Sequence, residues 1–261
     1  MIPKKIHYCW FGSGDLPEKD IKCIESWKKF CPDYEIIQWN ENNYDITKNS
    51  YMKEAYDEKK YGFVPDYARL DIIYNYGGIY LDTDVELLKN LDFLLDYKGF
   101  TGFEAIDTGQ KFIALGLGFG AEKGNEIIKK MRDDYERIRF KFDDGKLNLT
   151  PSPAYSTRSL KELGLKQDGI LQEIDGFLFL PKDYLCPLSC VSNELNITDN
   201  TISIHHYNAS WLTEKDKKRI VYVNKCKKKF GSNTGYYIGT LIYYFKEEGI
   251  LNILKKIFRI K

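Results

Sequence analysis

The sequence predicts an α/β protein with one large domain and a helical appendage. Three observations carry this. Short apolar runs alternate with segments of helical period, beginning strand–helix–strand near the N-terminus. The 261 residues are 43% hydrophobic and 15% aromatic, enough to bury a core without staples at ~100–200 residues per domain. Charge is unevenly placed. The net charge is +1, yet Glu214 to Lys261 holds 13 basic and 4 acidic residues, which leaves 1–213 at −8. The near-neutral sum excludes a simple polybasic or acidic protein, and nucleic acid is not an expected partner. The aromatic content excludes disorder along the whole chain. The basic end points to an anionic surface as its partner.

Ile6–Phe11 reads as a buried first strand, ended by Gly12-Ser13-Gly14. Ile21, Ile24, Trp27 and Cys31 fall at helical spacing over 18–31, and Pro32-Asp33 stops that helix. Tyr34–Trp39 is the second strand. Residues 50–61 form a polar helix. Val64-Pro65-Asp66 marks another helix start, with Asp66 as N-cap. That helix runs through Ala68, Leu70, Ile72 and Ile73 to Gly77-Gly78, and Ile79–Asp82 follows as a strand. Further strands surround Gly-rich turns over 100–121. A charged amphipathic helix covers 123–140, a polar loop 141–153, and a helix Ser156–Leu163. Short strands lie near 170–180 and 201–206. Tyr236–Phe245 is aromatic and apolar. Beyond Gly249, Ile250, Leu251, Ile253, Leu254, Ile257 and Phe258 make one helical face, and Lys255, Lys256, Arg259 and Lys261 the other.

The six cysteines lack a C-x-x-C pair, so they read as free thiols of a reducing compartment. Cys186 and Cys190 have no nearby Cys or His to complete a zinc site. No secretory h-region follows Met1, and no apolar run reaches the ~18 residues needed to span a bilayer. The expectation is a soluble or peripheral protein.

The chemistry concentrates in 66–86. Asp82 and Asp84 leave the end of an apolar strand at i and i+2, so that two carboxylates converge where open α/β sheets bind ligands. Hard oxygen ligands there suit Mg²⁺ or Mn²⁺ holding a diphosphate. Asp66 and Arg69, three apart, share a helix face, and the Gly-Gly turn brings that face back beside Asp82. An acid and a guanidinium next to a metal can grip sugar hydroxyls or a phosphate. Taken singly, each feature has a plainer explanation: a chance Asp-x-Asp, a helix cap, a salt bridge, a helix stop. Their joint spacing favours a site. The second cluster is His205-His206-Tyr207-Asn208-Ala209-Ser210-Trp211, which holds two of the three histidines. A neutral histidine is a good third metal ligand; a capped strand end with one buried histidine is the alternative.

Asp66, Arg69, Gly77, Gly78, Tyr80, Asp82 and Asp84 together resemble the Asp-x-Asp sugar-binding region of retaining glycosyltransferases. The pattern is most similar to glycosyltransferase family 32, the capsular-polysaccharide and initiation-mannosyltransferase type, whose core is shared with clostridial glucosylating toxins. Ile2–Gly12 resembles the family's first strand, and His205–Trp211 its C-terminal His…Ser-Trp motif. The likeness covers about residues 1–212. It implies a GT-A type, Rossmann-like mixed sheet flanked by helices over 1–212, with 213–261 as a C-terminal amphipathic helical appendage. It also implies a nucleotide-sugar donor and a divalent metal, Mn²⁺ or Mg²⁺. By position, Tyr8 and Trp10 meet the nucleotide, Trp10 stacking on the base. Asp66 and Arg69 hold the donor sugar, and Tyr80 lies near the nucleotide. Asp82 touches ribose and metal, Asp84 binds the metal, and His206 completes the metal site ahead of His205. Ser210 and Trp211 reach the β-phosphate. Where relatives often carry Gly-Pro, this chain has Ser152-Pro153, a departure on the acceptor side.

The function so implied is metal-dependent, retaining transfer of a hexose, with a UDP-hexose favoured, to a glycan or lipid-linked saccharide. Glu104 is a candidate nucleophile and equally a candidate acceptor contact. A front-face displacement is the working mechanism. The tail reads as an interfacial anchor on an anionic membrane or as an ordinary packing helix. The expected location is cytoplasmic, peripheral on the inner face of the plasma membrane. Abundant Lys, Ile, Asn and Tyr suit an AT-rich bacterium and capsule or surface-polysaccharide synthesis. Two other classes stay open: a haloacid-dehalogenase-like phosphatase, whose Asp-x-Asp usually ends the first strand, and a non-catalytic carbohydrate-binding module.

Overall fold

The computed structural model describes residues 1–105, 111–189, 194–208 and 214–249. The chain divides into two compact units, Met1–Asn208 and Ala209–Lys261.

The first unit opens with β1 (Lys5–Cys9), α1 (Glu18–Phe30) and β2 (Glu35–Trp39), then α2 (Ser50–Asp57), α3 (Pro65–Tyr76), β3 (Gly78–Tyr80) and β4 (Val85–Leu87). It continues with β5 (Gly99–Ala105), β6 (Lys111–Ile113), β7 (Phe119–Ala121), α4 (Glu126–Asp134) and α5 (Ser152–Glu162). It closes with β8 (Gln172–Ile174), β9 (Phe177–Leu180), α6 (Lys182–Leu185) and β10 (Ser203–His205). The main sheet runs β2-β1-β3-β7-β5-β9-β8, with β6 paired to β5. A separate antiparallel pair joins β10 to β4.

The sheet is mixed, as the resemblance implies. β1 lies parallel to β2 and β3, and β5 parallel to β9. β7 is antiparallel to both β3 and β5. The strand–helix–strand start alone favours parallel pairing. The reversal arises because the chain leaves β5 through the antiparallel β6, without the helical crossover that a parallel return needs.

Both faces of the sheet are buried. Successive strand residues alternate between two apolar clusters. Phe177 and Phe179 join one, Leu178 and Leu180 the other; Tyr80 joins the first, Ile79 and Leu81 the second. Continuous apolar strands follow from this two-sided burial.

Local differences from the expected elements have physical reasons. α3 begins at Pro65 with Val64 at the N-cap, so Asp66 lies inside the first turn and does not cap the helix. α4 stops at Asp134 and tightens into a 3₁₀ turn, Tyr135–Arg137. α5 starts at Ser152, four residues before the expected start, because proline is at home in a first turn. The polar stretch before α5 is tied down: Glu54 Oε2 accepts the backbone N–H of Phe140 at 2.9 Å and of Lys141 at 3.0 Å. The α3–β3 turn needs both glycines. Their φ values are +66° and +107°, and a Cβ on Gly78 would lie 2.9 Å from His7 Nε2. Five cysteines are free and buried; Cys190 lies outside the described residues.

The described residues of the second unit form an α-hairpin of α7 (Glu214–Phe230) and α8 (Ser232–Tyr243); the helix expected beyond Gly249 lies outside the described residues. Gly235 and Gly239 let the two backbones touch. A Cβ there would fall 2.4 Å from Lys227 Cα and 2.5 Å from Val223 Cα, respectively. Among the described residues, no helix is long and apolar enough to cross a membrane.

Candidate functional site

β3 sits near the middle of the sheet and delivers the chain at Tyr80 to the turn that carries Asp82 and Asp84. Val85 N–H closes this turn on Asp82 O at 3.0 Å, and β4 then leaves the main sheet. The site forms between this turn, the first turn of α3 and the exit of β10.

Arg69 is the hub on the α3 side. Its Nη2 donates to Asp66 Oδ1 at 3.0 Å, and Nη1 lies 3.4 Å from Asp82 Oδ1. Nε donates to Pro65 O, and the guanidinium stands 5.1 Å from the Tyr80 ring centroid. Asp66 is buried and is also met by the Tyr51 hydroxyl at 3.2 Å and the Ser152 hydroxyl. Burial dominates its titration and pushes the carboxyl up to about 6, against the pull of Arg69 and the two hydroxyls. The i, i+3 spacing thus brought the expected pair together, with Tyr80 beneath it.

On the other side, β10 runs against β4 with His205 opposite Val85 and Ile204 opposite Glu86. His205 Nε2 lies 3.1 Å from Asp84 Oδ1, and Asn208 N–H donates to Asp84 Oδ2 at 2.8 Å. Burial works against the Asp84 charge, but His205 and the Asn208 N–H outweigh it and hold the carboxyl below its usual range. Asp82, Asp84 and His205 each offer one ligand atom, and these atoms lie within 4.8 Å of one another.

This corrects one expectation. The third donor beside the aspartates is His205, not His206. Neighbouring residues on an extended strand point to opposite sides, so only one of the pair faces Asp84. His206 turns to Glu86 Oε2 at 2.8 Å. The set fits a divalent cation: two carboxylates and an imidazole are hard-to-borderline donors that suit Mn²⁺ somewhat better than Mg²⁺. His205 Nδ1 is buried and has no partner among the described residues, so the ring is not committed to a second hydrogen bond.

Trp10 stands just past β1, partly buried, its indole N–H on Gly14 O at 2.6 Å. Tyr8 is buried edge-on to Trp27 at 5.7 Å and donates to Gln38 Oε1. Ser210 and Trp211 lie outside the described residues.

The sequence reading names neither Asp20 nor Gly116, and assigns Tyr207 and Asn208 no individual role. Asp20 of α1 accepts from Thr83 Oγ1 at 2.7 Å and from Asn208 Nδ2 at 3.0 Å, so it holds both walls of the Asp84 clamp. Gly116 backs the Asp82 carboxylate. Tyr207, with left-handed backbone (φ +51°), sets its ring 4.3 Å from His205 and donates to Glu104 Oε1 at 2.8 Å.

Residues 17–101 match the family described as glycosyltransferase sugar-binding region containing DXD motif. The chain is 37% identical over 100 residues to inositol phosphoceramide mannosyltransferase 3 of Schizosaccharomyces pombe, covering 37% of this chain and 28% of that one. It is 28% identical over 210 residues to Subversion of eukaryotic traffic protein A of Legionella pneumophila, covering 65% and 31%. The chain therefore spans about a third of the length of these relatives. Among solved structures it is similar to the PaToxG glycosyltransferase, with a TM-score of 0.44 and 20% identity over 62% of this chain and 69% of that one. It is also similar to an active-site mutant of LgtC, with a TM-score of 0.41 and 13% identity over 77% and 86%. Residues 17–101, the segment that holds Asp66, Arg69, Asp82 and Asp84, are thus similar to the glycosyltransferase sugar-binding region containing a DXD motif.

Proposed function

We propose that this chain is a metal-dependent, retaining glycosyltransferase of GT-A type. It moves a hexose from a nucleotide sugar, a UDP-hexose being favoured, to a glycan or lipid-linked saccharide. The setting proposed is bacterial surface or capsular polysaccharide synthesis, at the cytoplasmic face of an anionic membrane. The observation that carries the catalytic reading is the convergence of Asp82, Asp84 and His205 beside the Arg69–Asp66 pair. Relatives whose names specify mannose transfer to inositol phosphoceramide support a hexose and a lipid-borne acceptor.

Asp82, Asp84 and His205 would hold Mn²⁺ or Mg²⁺, which when bound neutralises charge on a diphosphate leaving group. Trp10 offers an aromatic face to the nucleobase. Arg69 and Asp66 together present donors and acceptors to the sugar hydroxyls, and their burial keeps water from competing. Glu104 is held by Tyr207, which orients it toward an acceptor-side or structural role. The acceptor hydroxyl attacks on the face the diphosphate leaves, and the departing phosphate takes its proton.

The test is hydrolysis of a panel of UDP and GDP sugars with Mn²⁺, with EDTA, and for Asp84→Ala. Metal-dependent release of one nucleoside diphosphate, lost in the variant, supports the reading. Absence of turnover and of thermal shift with every donor, with turnover of p-nitrophenyl phosphate, would move the assignment to a phosphatase.

A further inference from the structure

The α7–α8 hairpin has two unlike sides. From Ser232 to Phe245 the chain has no charged residue, although the whole stretch from Glu214 onward is strongly basic. Gly235, Gly239 and Tyr243 turn inward, toward α7. The opposite face of α8, continued into the turn that follows it, carries Tyr237, Leu241 and Phe245 at i, i+4 and i+8, which are 69%, 52% and 60% exposed. A run of exposed large apolar side chains on one helical face is uncommon on a protein surface. The helix is far too short to span a bilayer.

Basic charge stands at the α7 end of this ridge, and at its other end a single lysine precedes Glu247, which Lys218 meets at 3.3 Å. Lys225 and Lys229 are exposed on the last turns of α7, beside the Gly231 corner where α8 begins. Lys246 is exposed just past Phe245. Two tyrosines, Tyr236 and Tyr237, are exposed on the first turns of α8; tyrosine suits a zone with apolar material on one side and water on the other.

We propose that α8 is the element that lies in an anionic lipid surface. Tyr237, Leu241 and Phe245 enter the boundary between headgroups and acyl chains, while Lys225, Lys229 and Lys246 meet lipid phosphates. This rests on the membrane-surface part of the proposed function and not on its catalytic part. The close Gly235–Gly239 contact with α7 makes the inserted helix one side of a stiff pair, so its exposed face is presented without prior folding.

The test uses the full chain with vesicles of phosphatidylcholine alone and of phosphatidylcholine mixed with phosphatidylglycerol, read by flotation. The expected result is flotation with the anionic vesicles, loss with rising salt, and little with phosphatidylcholine alone. Leu241→Glu should weaken binding about tenfold or more, and Lys225→Glu with Lys229→Glu should abolish the preference for anionic lipid. Circular dichroism confirms that the variants keep their helices. Nucleotide-sugar hydrolysis in the same samples should be unchanged, which separates this proposal from the catalytic reading. Equal flotation of Leu241→Glu and the unaltered chain would overturn it. So would a concentration-dependent dimer that Leu241→Glu splits, since the ridge would then be covered by a second copy.

Discussion

Gly116 stands so close to Asp82 that a Cβ on it would lie 2.3 Å from Oδ2, and 3.4 Å from Arg69 Nη1. The glycine therefore sets where the carboxylate sits. The atom it would displace is the end of a side chain, so the fold can absorb a methyl group while the site cannot. Gly116→Ala should leave the thermal midpoint within a few degrees of the unaltered chain and reduce metal-dependent donor hydrolysis by about tenfold or more. A variant with full activity would show that Asp82 need not occupy this position.

The two histidines of the second cluster should separate cleanly. His205→Ala removes the donor at Asp84 and should weaken Mn²⁺ binding by about 10–100-fold. His206→Ala removes a partly exposed contact to Glu86 and should change it little. Titration with Mn²⁺ followed by calorimetry reads this without any need for turnover. The reverse order of effects would restore His206 as the ligand.

Donor binding should depend on pH through Asp66. Burial raises its carboxyl to about 6, so it is ionised above that value and protonated below it. Asp84 is shifted the other way and stays ionised across the same window. Donor affinity should therefore fall about tenfold between pH 7 and pH 5 as Asp66 ceases to accept from a sugar hydroxyl. Asp66→Asn should bind weakly at both values and lose the dependence. Persistence of the pH step in that variant would assign it to another group.

His7 predicts an acid-labile fold. It is fully buried, accepts from the Trp39 indole N–H at Nδ1 and donates from Nε2 to Gly77 O. Both contacts require the neutral ring with its proton on Nε2. Burial lowers its pKa from 6.5 to about 4. A depressed value means that the neutral form stabilises the fold; this stability is complete above pH 6.5 and is lost as pH falls toward 4. The loss amounts to about 2 kcal/mol by pH 5. Urea midpoints at pH 7 and pH 5 measure it, and His7→Gln should flatten the difference.

The legible part of this molecule was what depends on short-range spacing. The i, i+3 pair Asp66–Arg69 and the i, i+2 pair Asp82–Asp84 needed only helix and strand periods to be placed on shared faces, and both converge as read. The apolar runs at Ile6–Phe11 and Ile79–Asp82 marked strands, and β1 and β3 lie within them. What failed was long-range or depended on a single residue's direction. His205 and His206 differ by one strand position, and only the register of β10 on β4 decides which one meets Asp84. Asp20 reads as an ordinary acid in the first turn of an amphipathic helix; its contacts to Thr83 and Asn208 span 63 and 188 residues. The N-cap assigned to Asp66 failed because the helix starts at Pro65, two residues earlier than that cap implies.

The contacts of Asp20 also bear on how this site changes over evolutionary time. One carboxylate grips the turn after β3 and the exit of β10, segments separated by more than a hundred residues of chain. A substitution that shifts either segment alone leaves the other anchored and tilts Asp84 against its histidine. Descendants of this chain that retune the metal should therefore carry paired changes in the two segments, and recombination between them should be tolerated poorly.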